Sequence, residues 1–138
     1  MSKSVLFVCY GNACRSIMAE ALARHHFRES LTIGSAGLAA LGEVPQSTLD
    51  VLKEARVSCE GLHSKDIDEV DTGRFDIIVN LTEFSIERFI PNGFHGTVID
   101  SYIPDPFGRS LDSYRIARTA IERIILEKLP KWLSEPSE

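Results

Sequence analysis

Val5-Leu6-Phe7-Val8-Cys9-Tyr10-Gly11-Asn12-Ala13-Cys14-Arg15-Ser16 is the stretch whose reading decides the fold. Its four consecutive apolar residues, Val5–Val8, run into a Gly-Asn turn at Gly11-Asn12, the pattern of a buried strand feeding a loop. The residues that follow, Ile17–Phe27, are rich in helix formers (Met18, Ala19, Glu20, Ala21, Leu22, Ala23) and predict a helix. Strand, tight loop and helix in that order gather loop N–H groups and a helix N-terminus around one point, which makes an anion cradle. Gly11 and Asn12 are residue types that tolerate the left-handed backbone such a curl requires.

Arg15 is the informative oddity within this stretch. A cation in the first turn of a helix opposes the macrodipole, which favours anions there, and a local rule broken in this way often marks a functional site. A dianionic phosphate between Arg15 and the helix would resolve the conflict, and the guanidinium fork suits two phosphate oxygens. Cys9 enters the same field. A cysteine beside a cation and a helix N-terminus is the kind of thiol that ionises readily and acts as a nucleophile. Ser16 can donate a hydrogen bond to its sulfur.

Outward from this loop, Thr32-Ile33 reads as a second strand ending in the small-residue loop Gly34-Ser35-Ala36-Gly37. Pro45–Ala55 carries Leu49, Leu52 and Ala55 at helical spacing. Phe75–Val79 predicts a third buried strand, followed by a short helical stretch around Glu83–Phe89, and Thr97–Ile99 a fourth strand. Leu111–Trp132 places Tyr114, Ala117, Ile121, Ile125, Leu129 and Trp132 three or four apart, one long amphipathic helix. Strands alternating with helices predict an α/β fold: one domain over residues 1–138, with a four-stranded parallel sheet flanked by helices and the phosphate loop after the first strand. Ligands in such folds sit beyond the carboxyl ends of the strands, where Cys9–Ser16 lies.

Composition narrows the options further. The chain has 138 residues, enough for one compact domain with a real core. Its net charge of −5 argues against broad nucleic-acid binding, so positive potential for a phosphate has to be concentrated locally. Val5–Val8 is far too short for a signal h-region or a membrane span, which predicts a cytoplasmic protein that does not engage membranes. Three cysteines, an odd and sparse number, suggest no disulfide framework. No Cys/His spacing suits a metal site, and no cofactor is implied; His25, His26 and His95 are assigned to the surface, and Cys59 to no role.

Cys9, five residues, Arg15 and Ser16 together resemble the phosphate loop of protein tyrosine phosphatases. The fuller string, followed by Met18-Ala19-Glu20-Ala21, is similar to the low molecular weight protein tyrosine phosphatase family. The likeness extends through Gly34-Ser35-Ala36-Gly37, Leu62-His63-Ser64-Lys65 and Ile103-Pro104-Asp105-Pro106-Phe107, in that family's order. Two departures are visible: Ile17 where the family usually carries Pro, and Ala13 where many tyrosine-specific members carry a larger aliphatic residue.

The resemblance implies hydrolysis of phosphotyrosine in a phosphorylated protein, through a phosphocysteine on Cys9. Arg15 would clamp the phosphate within the loop Tyr10, Gly11, Asn12, Ala13, Cys14 and Ser16. Asp105, stiffened by Pro104 and Pro106, would be the general acid and then the base. Asn12, Ser35 and His63 would form a supporting network. Phe107, with Tyr10, is either a wall for a substrate ring or packing. Cys14 would form a reversible disulfide with Cys9 under oxidation, or merely pack inside the loop. Three rivals stand beside this reading. One is an arginine phosphatase, left open by Ala13 and by Phe107-Gly108. Another is an arsenate reductase using an external thiol or glutaredoxin, since no cysteine follows Cys59. The third is a non-catalytic phosphocysteine carrier, which needs neither Arg15 nor Asp105. The sequence leaves the physiological substrate and the oligomeric state undetermined.

Overall fold

A computed structural model describes residues 3–134. Four parallel strands, β1 (Lys3–Cys9), β2 (Leu31–Gly37), β3 (Ile77–Asn80) and β4 (Thr97–Asp100), form one sheet in the order β2-β1-β3-β4. The central strand is the one the sequence marks most strongly: Val5 to Cys9 are buried without interruption, as a strand with neighbours on both sides and cover on both faces must be. Val5 and Phe7 face a large core built from α1 (Arg15–Phe27), α2 (Gln46–Glu54), α3 (Leu111–Glu127) and α4 (Leu129–Ser134). Leu6 and Val8, with Ala36 of β2 and Ile78 of β3, face a smaller one closed by Ile67, Phe75 and Ile86, on segments that contain only single 3-10 turns. Among the described residues, no helix is long and apolar enough to cross a membrane.

Several expected boundaries move, each for a local reason. The second strand includes Gly34-Ser35-Ala36-Gly37 instead of ending before it, because Ser35, Ala36 and Gly37 pair with Phe7, Val8 and Cys9. The third strand begins at Ile77: Phe75 is spent on the smaller core, and Asp76 is held by its carboxylate on the Ser4 N–H at 2.8 Å. The stretch expected to be helical around Glu83–Phe89 reduces to one 3-10 turn, Glu87–Phe89. Side-chain bonds compete with helix there, since Asn80 Nδ2 donates to Phe84 O at 2.7 Å and the Phe84 N–H donates to Thr82 Oγ1 at 3.0 Å. The single long helix expected through Trp132 is two, broken at Lys128 next to Pro130, whose missing N–H interrupts the ladder. Helix α1 starts at Arg15, two residues early, and buries every residue from Arg15 to Ala23. Ile17 is therefore inside the first turn and fully buried, so packing stands where a proline would have supplied rigidity.

The sheet positions the loop through β2. Beyond Gly37, the chain continues along the loop's rim: the N–H groups of Leu38, Ala39 and Leu41 donate to Cys9, Tyr10 and Gly11 carbonyls at 2.8–3.0 Å. Such closeness requires a bare backbone at the crossing. A Cβ on Gly37 would lie 2.7 Å from Asn12 N and 2.8 Å from Gly11 C, both backbone atoms that cannot swing away. Gly37→Ala should therefore lower stability by about 1–3 kcal/mol, read by denaturant unfolding. An unchanged midpoint would show that the loop can give way at this crossing.

Candidate active site

Residues 9–16 close around an open cleft of about 180 Å³, lined by Cys9, Tyr10, Gly11, Ala13, Cys14, Arg15, Ala39, Leu41, Asp105 and Phe107. Cys9 and Arg15 sit deep, each about 2% exposed, whereas Tyr10 and Phe107 stand half-exposed at the mouth. Asn12 adopts the left-handed conformation with φ 45°, at a cost that its buried side chain recovers in hydrogen bonds. Its Nδ2 donates to Ser16 Oγ at 2.7 Å, and Ser16 Oγ lies 2.9 Å from Cys9 Sγ. Thr48, at the start of α2, ties the far side of the loop by donating to Ala13 O at 2.8 Å.

Arg15 reaches across the cleft floor. Its Nη1 donates to the carbonyls of Leu81 at 3.1 Å and Ile103 at 2.8 Å, one beyond β3 and one at the start of the segment carrying Asp105. Nη2 faces Asp105 Oδ2 at 3.6 Å. Nε is buried and, among the described residues, is the one buried side-chain polar atom without a hydrogen-bond partner. A buried orphan donor on a fixed guanidinium is a fitted demand for an anion. Asp105 is about half exposed and lines the cleft, and its Oδ1 accepts the Phe107 N–H at 3.1 Å, a bond that closes a local turn.

Behind the loop, the supporting network differs from expectation in one member. Ser35 is present, buried, and donates to Glu20. His63 is not: its ring is exposed, with Nδ1 against Gly61 O at 3.2 Å, and only its carbonyl touches the network. Ser64 and Lys65 are the residues that dock. Ser64 Oγ donates to Gly11 O at 3.1 Å, and the Lys65 N–H donates to Asn12 Oδ1 at 2.8 Å, which leaves His63 at the rim. Lys65 Nζ lies 3.0–3.4 Å from three acceptors, His63 O, Ser35 Oγ and Asn12 Oδ1, and 3.8 Å from Glu20. Burial pulls the lysine's pKa below its ordinary value, and Glu20 opposes that fall. Sequence reasoning missed Glu20, Thr48 and Lys65. A lone acid among Met18, Ala19, Ala21 and Leu22, in a helix buried all round, was the available signal for Glu20.

Cys14 is buried at the inner wall of the cleft, where its thiol lies 3.6 Å from Tyr114 Oη. Burial pushes its pKa up to about 11, with the Tyr114 hydrogen bond acting the other way. Cys14 is therefore a protonated thiol at neutral pH. Cys59 is half-buried, lies outside the cleft, and burial raises its pKa as well.

The description "low molecular weight phosphotyrosine protein phosphatase" belongs to the family model that matches residues 4–136, and the chain belongs to that family. Among curated relatives, it is 32% identical over 135 residues to the Escherichia coli K12 low molecular weight protein-tyrosine-phosphatase Wzb, covering 89% of this chain and 90% of Wzb. A protein-arginine-phosphatase of Geobacillus stearothermophilus is 32% identical over 143 residues, covering 91% and 93%. The glutaredoxin arsenate reductase of Synechocystis is 25% identical over 130 residues, covering 94% and 98%. A solved structure described as a protein tyrosine phosphatase superposes with a TM-score of 0.83 at 28% identity over 99% of both chains.

The clamp makes a direct prediction. Arg15→Lys keeps the charge but loses the fork and the Nη1 anchors to Leu81 and Ile103. Its kcat/KM should fall by about 10²–10³ with the fold intact. Activity within a few-fold of the parent protein would remove Arg15 from the clamp.

Proposed function

We propose that the chain hydrolyses phosphotyrosine in a protein substrate by way of a phosphocysteine on Cys9. The carrying observation is the single cleft that holds Cys9, Arg15 and Asp105 together beneath two aromatic side chains, Tyr10 and Phe107. A phosphate would take up the free Arg15 donors and the loop N–H groups, and displace Asp105 from Nη2, whereupon the carboxylate, released from the cation, takes up a proton from solvent. Cys9 Sγ then attacks phosphorus as the bond to the phenolic oxygen breaks, and Asp105 gives that oxygen its proton. In the second step, the Asp105 carboxylate takes a proton from water attacking phosphocysteine, releasing inorganic phosphate and regenerating the Cys9 thiolate. The ring of the substrate fits between Tyr10 and Phe107, against the aliphatic edge of Ala39 and Leu41. We place the protein in the cytoplasm, which suits three free thiols.

A second reading, arginine phosphatase, is favoured by one feature: Ala13 is small and lines the cleft, leaving its floor wider than a larger aliphatic residue would. An arsenate reductase would need an external thiol, since Cys59 is the last cysteine and lies outside the cleft. One comparison separates the three: turnover of a phosphotyrosine peptide, a phosphoarginine peptide and arsenate by reduced protein, with Asp105→Asn assayed beside it. The expected result is preference for phosphotyrosine. Asp105→Asn should lose about 10²–10⁴ in kcat on a phenolic phosphate, and far less on an ester with a much better leaving group. Faster phosphoarginine turnover would select the second reading. An equal Asp105→Asn loss for both leaving groups would remove Asp105 as the acid.

Redox sensitivity belongs to the same proposal. Mild peroxide should inactivate the enzyme reversibly, with Cys9 oxidised first and then captured by Cys14, the neighbour in its own loop. Peptide mapping checks the pairing; finding both thiols free, or Cys9 joined to Cys59, would contradict it.

A further inference from the structure

We infer that Lys65 is a positioning residue for the nucleophile: from beneath the loop, it fixes the direction of a hydrogen-bond chain that ends on Cys9 Sγ. The inference rests on Cys9 as the nucleophile, but not on the identity of the substrate. Nothing in the residue type announces it, and the position two residues earlier, His63, stands outside the chain.

Donor counting sets the polarity. An ammonium group carries three donors, and Lys65 Nζ lies within reach of three acceptors: Asn12 Oδ1 at 3.4 Å, Ser35 Oγ at 3.2 Å and His63 O at 3.0 Å. The Lys65 N–H adds a second bond to Asn12 Oδ1 at 2.8 Å. Two donors on the same oxygen leave the Asn12 amide one orientation, with Nδ2 turned to Ser16 Oγ at 2.7 Å. Ser16 Oγ thus accepts from Asn12, and among the described residues its remaining neighbour is Cys9 Sγ at 2.9 Å. The hydroxyl proton is aimed at the sulfur, which favours the thiolate. Ser35 completes the other branch by accepting from Lys65 and donating to Glu20.

Charge acts in the same direction as geometry. The charged or titratable groups facing Lys65 are Glu20 and Arg24 on α1, Glu69 on the 67–69 turn, and Cys9 itself. Glu20 already holds Arg24, so the buried acid does not cancel Lys65 alone. Those facing Cys9 are Arg15, Asp105 and Cys14 within the cleft, and Lys65 from behind. The thiolate is thereby served by a cation on each side of the loop, one exchangeable with substrate and one permanent.

The test is the pH dependence of Cys9 alkylation by iodoacetamide, measured without substrate. Cys14 does not interfere because its thiol stays protonated across the range. Lys65→Met should move the midpoint upward by about one pH unit, and its loss of kcat/KM should be greatest at low pH and shrink as pH rises. Lys65→Arg should restore most of the shift. Asn12→Ala should produce a comparable shift, and the double variant with Lys65→Met little more than either alone, since both cut one chain. If Lys65→Met does not fold by circular dichroism, Lys65→Gln, which keeps a donor in the slot and removes the charge, should show an upward shift of smaller size. A folded Lys65→Met or Lys65→Gln protein with an unmoved midpoint would overturn the inference, as would shifts that simply add. Failure of phosphotyrosine turnover with the shifts intact would instead reject the substrate assignment.

Discussion

A buried asparagine in a left-handed conformation holds the working end of this molecule together. Asn12, with φ 45° and no exposed surface, bonds forward to Ser16 and backward to Lys65, and its backbone lies against Gly37 with no room for a side chain between them. The loop, the end of β2 and the segment after α2 are therefore mutually fixed through one residue. Left-handed backbone is unfavourable for most side chains, and here it is held by contacts from three separate parts of the chain. The loop's shape is fixed in consequence by bonds within the protein itself, so little ordering remains to be done on binding.

Arg15 shows how the same economy serves electrostatics. A cation at a helix start is disfavoured by the macrodipole, and burying it adds desolvation. The fold answers with two carbonyls, Leu81 O and Ile103 O, and with Asp105, and it leaves Nε unanswered. The carbonyls come from the end of β3 and from the start of the Asp105 segment, so the guanidinium also ties these two parts of the chain to the loop.

Much of this was readable in the residues themselves. The apolar run Val5–Val8, the Gly-Asn turn and the helix formers after Arg15 forecast a buried strand, a loop and a helix, because each is a local pattern with one good structural solution. Boundaries set by distant partners were less legible. Gly34-Ser35-Ala36-Gly37 looks like a loop by composition, yet it is strand because β1 offers it a ladder. Leu111–Trp132 keeps its helical period across Pro130, and period alone cannot see a missing N–H. In the site, Cys9, Arg15 and Asp105 line one cleft; residue type and spacing pointed to the first two, and the family resemblance to Asp105. Lys65 and His63 could not be told apart by sequence, since which of two neighbours docks depends on where Ser64 meets Gly11. The resemblance pointed to His63, whereas Ser64 and Lys65 make the side-chain and backbone contacts with the loop.

The 3.6 Å approach of Asp105 to Arg15 carries a consequence for turnover. The carboxylate lies against the guanidinium, so under the proposed mechanism substrate and inorganic phosphate alike would enter by exchanging with it and leave by the reverse exchange. The pair is half open to solvent and its attraction is modest, but under that mechanism it would act on every cycle and on both ends of the reaction. The grip on product would be weakened by the same side chain proposed to serve the chemistry, which favours release of phosphate.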